Sequence, residues 1–340
     1  MGIRIGKTNK LYAFVAALAA LVAVSVTLSS GAWGASRQHG SAGSKSASVF
    51  PQDKPPAGFQ SKYAEVNGFR MHYVIGGKGS PVLMSGGFPN NWSEFKPEMG
   101  PLSKNHTVIA VDLRGTGDSQ VTKSGYTSSQ LARDEHQLLV QLGLNNGIQI
   151  VGHDLSVFVA YDYAAQYRSE VRSMVVMEAP LPDESIYSFP VLSPDPTKPT
   201  AWHFGLFQQP LAEKLLAGNE TVFVKNIMSE WTSVKSAFSQ SDFKYYGHFL
   251  KEPGRTHAWL SVYRGMRADI AQTKTYQAEG KLKMPILAVG GENSFGSMVA
   301  DQWSKYAVNV QGRVLKNTGH FVTQERPKEV TAMLQSFLQK

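Results

Sequence analysis

From residue 64 onward, apolar runs of strand length alternate with stretches of helical period, and this alternation restricts the fold more than any other feature. The runs are "PVLMS" (81–85), "TVIAV" (107–111), "IQIVG" (148–152), "RSMVVM" (172–177), "PILAVGG" (285–291) and "GRVLK" (312–316). Continuous apolar runs of this length suit strands covered on both faces of a parallel sheet. Between them, Ser128 to Leu142 sets Leu131, Leu138, Leu139 and Leu142 on one helical face, and "LSVFVAYDYAAQY" after Asp154 forms a second helix. Ahead of them, "AEVNGFRMHYVIGG" predicts a hairpin turning at Asn67-Gly68. The expected class is α/β, a doubly wound, mostly parallel sheet with right-handed crossovers.

The alternation fails over residues 181–275. That stretch carries several prolines, helical pieces such as "LAEKLLAG" and 14 of the chain's aromatic residues, with no convincing strand. An aromatic, helical interruption of a sheet reads as a lid over a pocket. The core is therefore expected in two parts, residues 59–180 and 276–340. At the other end, Arg4, Lys7 and Lys10 precede the apolar run "LYAFVAALAALVAVSVTLSS" and the small residues "GAWGAS". A basic head, an apolar middle and a small-residue exit describe a signal peptide over residues 1–35. The expected location is thus exported, secreted or periplasmic. Residues 36–58, rich in Ser, Gly, Ala and Pro, are expected to be a flexible or extended linker.

The chain has no cysteine. Thiol catalysis, zinc–thiolate sites and disulfides are excluded, and nothing calls for a cofactor or a metal. The formal charge is +8, but the basic residues are scattered rather than clustered, so no nucleic-acid partner is expected.

The chemistry centres on "VGHDLS" (151–156). Asp154 lies between a buried strand and a helix start, where a tight turn pushes a side chain out at the sheet's carboxyl edge. An aspartate there is a good helix cap in its own right; a serine there would be an acyl-transfer nucleophile. "SGGFPNNW" (85–92) brings the backbone N–H of Phe88 near that of Leu155, a candidate oxyanion hole. "DLRGTGDS" (112–119) lacks the Lys-Ser/Thr ending of a phosphate loop and reads as a shaped turn beside the site. "NTGHFVTQERP" (317–327) offers His320 as a base. For the orienting acid, Ser294 occupies the slot where aspartate is expected. Glu178, at the end of "VVMEAP", is the preferred acid and Glu292 the reserve.

Together these segments resemble the epoxide hydrolase and haloalkane dehalogenase branch of the α/β-hydrolase superfamily, over roughly residues 59–338. The likeness is greatest to exported Cif-type epoxide hydrolases, through "MEAPLPD", "WHFGLF" and the Tyr-Arg of "SVYRGMRA". The resemblance implies an α/β-hydrolase fold with an eight-stranded, mostly parallel sheet and an inserted helical lid. It implies that His203 and Tyr263 hold an epoxide oxygen, and it allows a homodimer. Two positions depart from the pattern: Gly86 stands where the family often has histidine, and Ser156 where it commonly has glycine. The expected reaction opens an apolar epoxide to a vicinal diol through an aspartyl ester that His-activated water hydrolyses. The alternatives are a haloalkane or haloacid dehalogenase using the same aspartate, and a catalytically silent binding module.

Overall fold

A computed structural model of the chain describes residues 50–195 and 199–339. The expected signal peptide and the first part of the linker lie outside the described residues. Eight strands form one sheet: β1 (Phe59–Val66), β2 (Phe69–Gly77), β3 (Ser80–Ser85), β4 (His106–Val111), β5 (Ile148–His153), β6 (Val171–Met177), β7 (Ile286–Gly291) and β8 (Val310–Leu315). Their spatial order is β1-β2-β4-β3-β5-β6-β7-β8. The β1–β2 and β2–β4 pairs are antiparallel, and every other pair is parallel. The hairpin turns at Asn67 (φ 45°) and Gly68 (φ 81°), the left-handed pair that a two-residue turn between twisted strands requires.

Eleven helices accompany the sheet within the described residues: α1 (Lys96–Leu102), α2 (Ser128–Leu142), α3 (Ser156–Gln166), α4 (Trp202–Phe207), α5 (Leu211–Leu216), α6 (Glu220–Trp231), α7 (Gln240–Lys251), α8 (Arg255–Ala278), α9 (Met298–Trp303), α10 (Val322–Glu325) and α11 (Pro327–Leu338). Strand residues alternate between two apolar layers. Val82, Met84 and Val151 pack with Met99, Leu102, Leu334 and Phe337 of α1 and α11. Leu83 and Ile150 face the opposite layer with Leu131 of α2 and Tyr161 of α3. Central strand β5 is buried along its whole length, Gln149 and His153 included, as a strand covered on both faces of the sheet must be. Helix α2 stops at Gly143 (φ 67°), a left-handed C-cap that glycine adopts without cost.

Between β6 and β7 lie α4 to α8 and, among the described residues, no strand. The last of these, α8, runs 24 residues to Ala278, beyond the expected insertion boundary at 275, because one uninterrupted helix carries the chain from the insertion back onto the core. A second difference concerns the linker. Pro51–Asp53 form a 3₁₀ turn and Phe50 packs against Tyr245 and His248 of α7, so the last residues of the polar segment are held in place.

The chain leaves β3 for β4 on one side and later returns to β5 on the other, which makes the carboxyl ends of β3 and β5 the topological switch point. In such sheets the cleft outside those ends receives ligands.

Candidate active site

Asp154 follows β5 directly and has φ 53°. An aspartate tolerates this left-handed conformation only when its surroundings hold it there. Two contacts do so: its N–H donates to the Met177 carbonyl at 3.0 Å, extending the ladder to β6, and Gly87 presses against it. A Cβ on Gly87 would lie 2.4 Å from the Asp154 Cβ. Glu178 repeats the device one strand over, with φ 58° and its N–H on the Val289 carbonyl at 2.9 Å. Two carboxylates are thus aimed off consecutive strand ends, and His320 sits between them. Its Nε2 is 3.2 Å from Asp154 Oδ2 and its Nδ1 is 3.1 Å from Glu178 Oε2. The other Glu178 oxygen accepts from the Gly291 N–H, and the side chain is fully buried.

The imidazole loop is tied to the insertion. The His320 N–H donates to the Trp231 carbonyl at 2.8 Å. Glu325 gathers the N–H groups of Ser233, Val234 and Gly319 on one oxygen at 2.9–3.0 Å. Burial alone would depress the His320 pKa, but hydrogen bonds to both carboxylates and their charges outweigh it and push the ring up to about 10. With Asp154 ionised, His320 is therefore an imidazolium at neutral pH.

His203 of α4 and Tyr263 of α8 line the same cavity, with ring centroids 6.1 Å apart and planes at 83°. Burial lowers the His203 pKa to about 4, so that ring is neutral and can donate one N–H. Burial, then the Asp154 charge, raises the Tyr263 phenol well above its usual range, so it stays protonated. The remaining wall is apolar, including Phe88, Leu155, Phe189, Trp231 and Phe295, and no lysine or arginine lines it among the described residues. About 40 Å³ is left open between these side chains, room for a few waters. The backbone N–H groups of Phe88 and Leu155 meet no acceptor among the described residues, which leaves both available to an oxyanion.

Of the residues singled out in the sequence, Asp154, Glu178, His203, Tyr263, His320, Phe88 and Leu155 come together. Glu292 does not. It ion-pairs with Lys316 at 2.7 Å and accepts from the Asn317 N–H at 2.8 Å, and these bonds hold it away from the imidazole. The Gly-rich turn at 112–119 is built around Asp112, whose oxygens accept from Trp92 N–H at 2.9 Å and Asp118 N–H at 2.8 Å. It thereby props the loop that carries Phe88.

Two functional features escaped the sequence. His153, next to Asp154, donates Nε2–H to the His320 carbonyl at 2.8 Å, and its Nδ1 is 2.7 Å from Glu94 Oε1. Full burial opposes its charge, but Glu94's charge and hydrogen bond outweigh that and raise its pKa. The second is the bond that joins the two departing positions: the Ser156 hydroxyl donates to the Gly86 carbonyl at 2.5 Å. His153 was visible as the histidine preceding Asp154, but Glu94 carried no local signal.

The alpha/beta hydrolase fold family matches residues 80–327. A soluble epoxide hydrolase from Corynebacterium sp. (strain C12) is 30% identical over 271 residues, covering 78% of this chain and 93% of that protein. The crystal structure of the Cif epoxide hydrolase from Acinetobacter nosocomialis superposes with a TM-score of 0.80 at 26% identity, covering 84% of this chain and 91% of that one. A fluoroacetate dehalogenase from Burkholderia sp. is 23% identical, over 83% of this chain and 94% of that protein. With its mostly parallel eight-stranded sheet and its cluster of Asp154, Glu178 and His320 at the switch point, the chain belongs to the α/β-hydrolase family and, within it, to the epoxide hydrolase branch.

Proposed function

We propose that the protein is an epoxide hydrolase that converts an apolar epoxide to a vicinal diol in two steps through an ester on Asp154. The observation that carries this reading is the pairing across one apolar cavity of an outward-aimed carboxylate with two neutral donors, His203 and Tyr263. A carboxylate attacks the saturated carbon as the C–O bond breaks, and the departing oxygen takes its proton from a donor opposite. The product of that step is an ester, which water can cleave at its carbonyl; a serine would give an ether that water could not.

The pKa of His320 orders the two steps. While Asp154 is anionic, the imidazole holds its proton and is no base. Alkylation removes that negative charge, and the largest support of the raised pKa, the Asp154 hydrogen bond, goes with it, whereas the Glu178 bond stays. The imidazolium then releases its proton to solvent, and only after the ester exists does His320 stand as the neutral ring that can take a proton from water. Glu178 holds the ring's tautomer, and the N–H groups of Phe88 and Leu155 receive the tetrahedral oxyanion.

One observation favours the dehalogenase reading: Trp231 lines the cavity and its buried indole N–H meets no acceptor among the described residues, a weak donor suited to a halide. Against a haloacid stands the absence of any lysine or arginine from the lining among the described residues.

The test is incubation with an aryl oxirane in ¹⁸O-enriched water. Diol should form, Asp154 should acquire label in a single turnover, Asp154→Asn should be inactive and His320→Gln should accumulate the ester by intact mass. Halide release from haloalkanes with no diol from any epoxide would establish the dehalogenase instead. Diol formation that leaves Asp154 unlabelled would overturn the ester route.

A further inference from the structure

We propose that residues 50–53, at the end of the polar segment preceding β1, are a positioning strap that holds helix α7 and the Phe88 loop in their working geometry. The family match begins at residue 80, so the strap lies outside the part of the chain that the family describes.

On one side the strap grips α7. The Phe50 ring packs on Tyr245 at 5.6 Å between centroids and on His248 at 5.4 Å. The Gln52 amide donates to Asp242 Oδ1 at 2.8 Å. The other Asp242 oxygen closes the capping box with the N–H and hydroxyl of Ser239, both at 2.7 Å. One carboxylate therefore both starts α7 and binds the strap. Positions 242, 245 and 248 recur every three residues, so the strap follows a single helical face.

On the other side the strap is fixed to the core. Lys96 Nζ donates to the Gln52 carbonyl at 2.8 Å, and the same ammonium lies 5.5 Å from the Trp92 ring centroid. From α7 the connection enters the site loop directly. The Tyr245 hydroxyl, fully buried, accepts from Asn91 Nδ2 at 2.8 Å. Asn91 Oδ1 in turn accepts from the N–H and hydroxyl of Ser93 at 3.0 and 2.7 Å. The Asn90 N–H donates to the Gly87 carbonyl at 2.7 Å, and Gly87 abuts Asp154. The strap thus acts through Tyr245 and Asn91 on the peptide that presents the Phe88 N–H. Its kinetic consequence rests on the ester route proposed above, because ester hydrolysis is the step that needs that N–H.

The experiment compares the full chain with its Phe50→Ala/Gln52→Ala variant. Amide exchange in residues 240–251 and 88–95 should quicken roughly tenfold as the grip is lost. Diol kcat should fall roughly three- to tenfold with KM little changed, and a larger fraction of enzyme should stand as ester at steady state. Phe50→Tyr should behave as the parent. If the double variant fails to fold, Gln52→Glu, which sets a carboxylate against Asp242, gives the same readouts. Unchanged exchange in 88–95, or quickened exchange with unaltered kcat and ester fraction, overturns the proposal. Should the parent turn over no epoxide, the function reading falls on its own, and the exchange in 88–95 decides the strap.

Discussion

Ser156 stands where turns of this kind commonly carry glycine, and its hydroxyl is bonded to the Gly86 carbonyl. Gly86 itself stands where the family often has histidine, and a Cβ there would lie 2.2 Å from the Glu94 carboxylate. The two departures fit one another: removing the side chain at 86 admits Glu94 beneath the loop, and the serine then secures the loop's carbonyl. Ser156→Ala should cost about 1–2 kcal/mol in stability, since it strands a buried carbonyl, and should lower kcat more than it raises KM. Chemical denaturation and steady-state kinetics check both, and an unaltered kcat would show that this bond does not shape the site. Asp154, Glu178 and His320 were legible because each sits at or just past a strand end or in a loop whose place follows from strand order. The Glu94–His153 pair was not, because it depends on the end of β5 and the 3₁₀ turn at Trp92–Phe95, distant in sequence, meeting in space.

At the scale of elements, the strands and the helix over Ser128–Leu142 could be read from residue pattern because their burial is regular. The insertion could be recognised only as helical and aromatic. Its packing turns on single close approaches, such as Gly247 of α7 against α6, where a Cβ would lie 2.6 Å from the Thr221 Cα. Backbone cannot yield there as a flexible side chain would. Gly247→Ala should therefore spread α6 from α7 and destabilise the fold by about 1–3 kcal/mol. Since Ile227 and Trp231 of α6 line the cavity, it should also raise KM for a bulky epoxide. A variant as stable as the parent, with the same KM, would refute this. The last residues of the presumed linker were misread for a related reason: composition describes solvation, whereas Gln52 finds its partner on α7, 190 positions away.

Across the whole molecule, buried acids set the response to pH. Asp162 of α3 and Asp269 of α8 both bond Ser128, through its hydroxyl at 2.8 Å and its N–H at 2.9 Å. Desolvation lifts Asp162 to about 8 and Asp269 to about 6. Unfolded carboxyls titrate near 4, so between these values the folded chain binds more protons and its stability falls as pH rises. His320 acts in the same direction, its contribution being full below about 6.5 and lost as pH climbs through about 10. Tm should drop by about 5 °C or more between pH 6 and 9, and Asp162→Asn should flatten that slope. A melting profile unaffected by the substitution would contradict the assignment. The site's own dimensions act at this scale too. A void that admits benzene measures ~150 Å³, several times the 40 Å³ found beside Asp154. An aryl oxirane can reach the carboxylate only when the walls part, so α4, α6 and α8, which carry His203, Trp231 and Tyr263 of those walls, share control of how often catalysis begins.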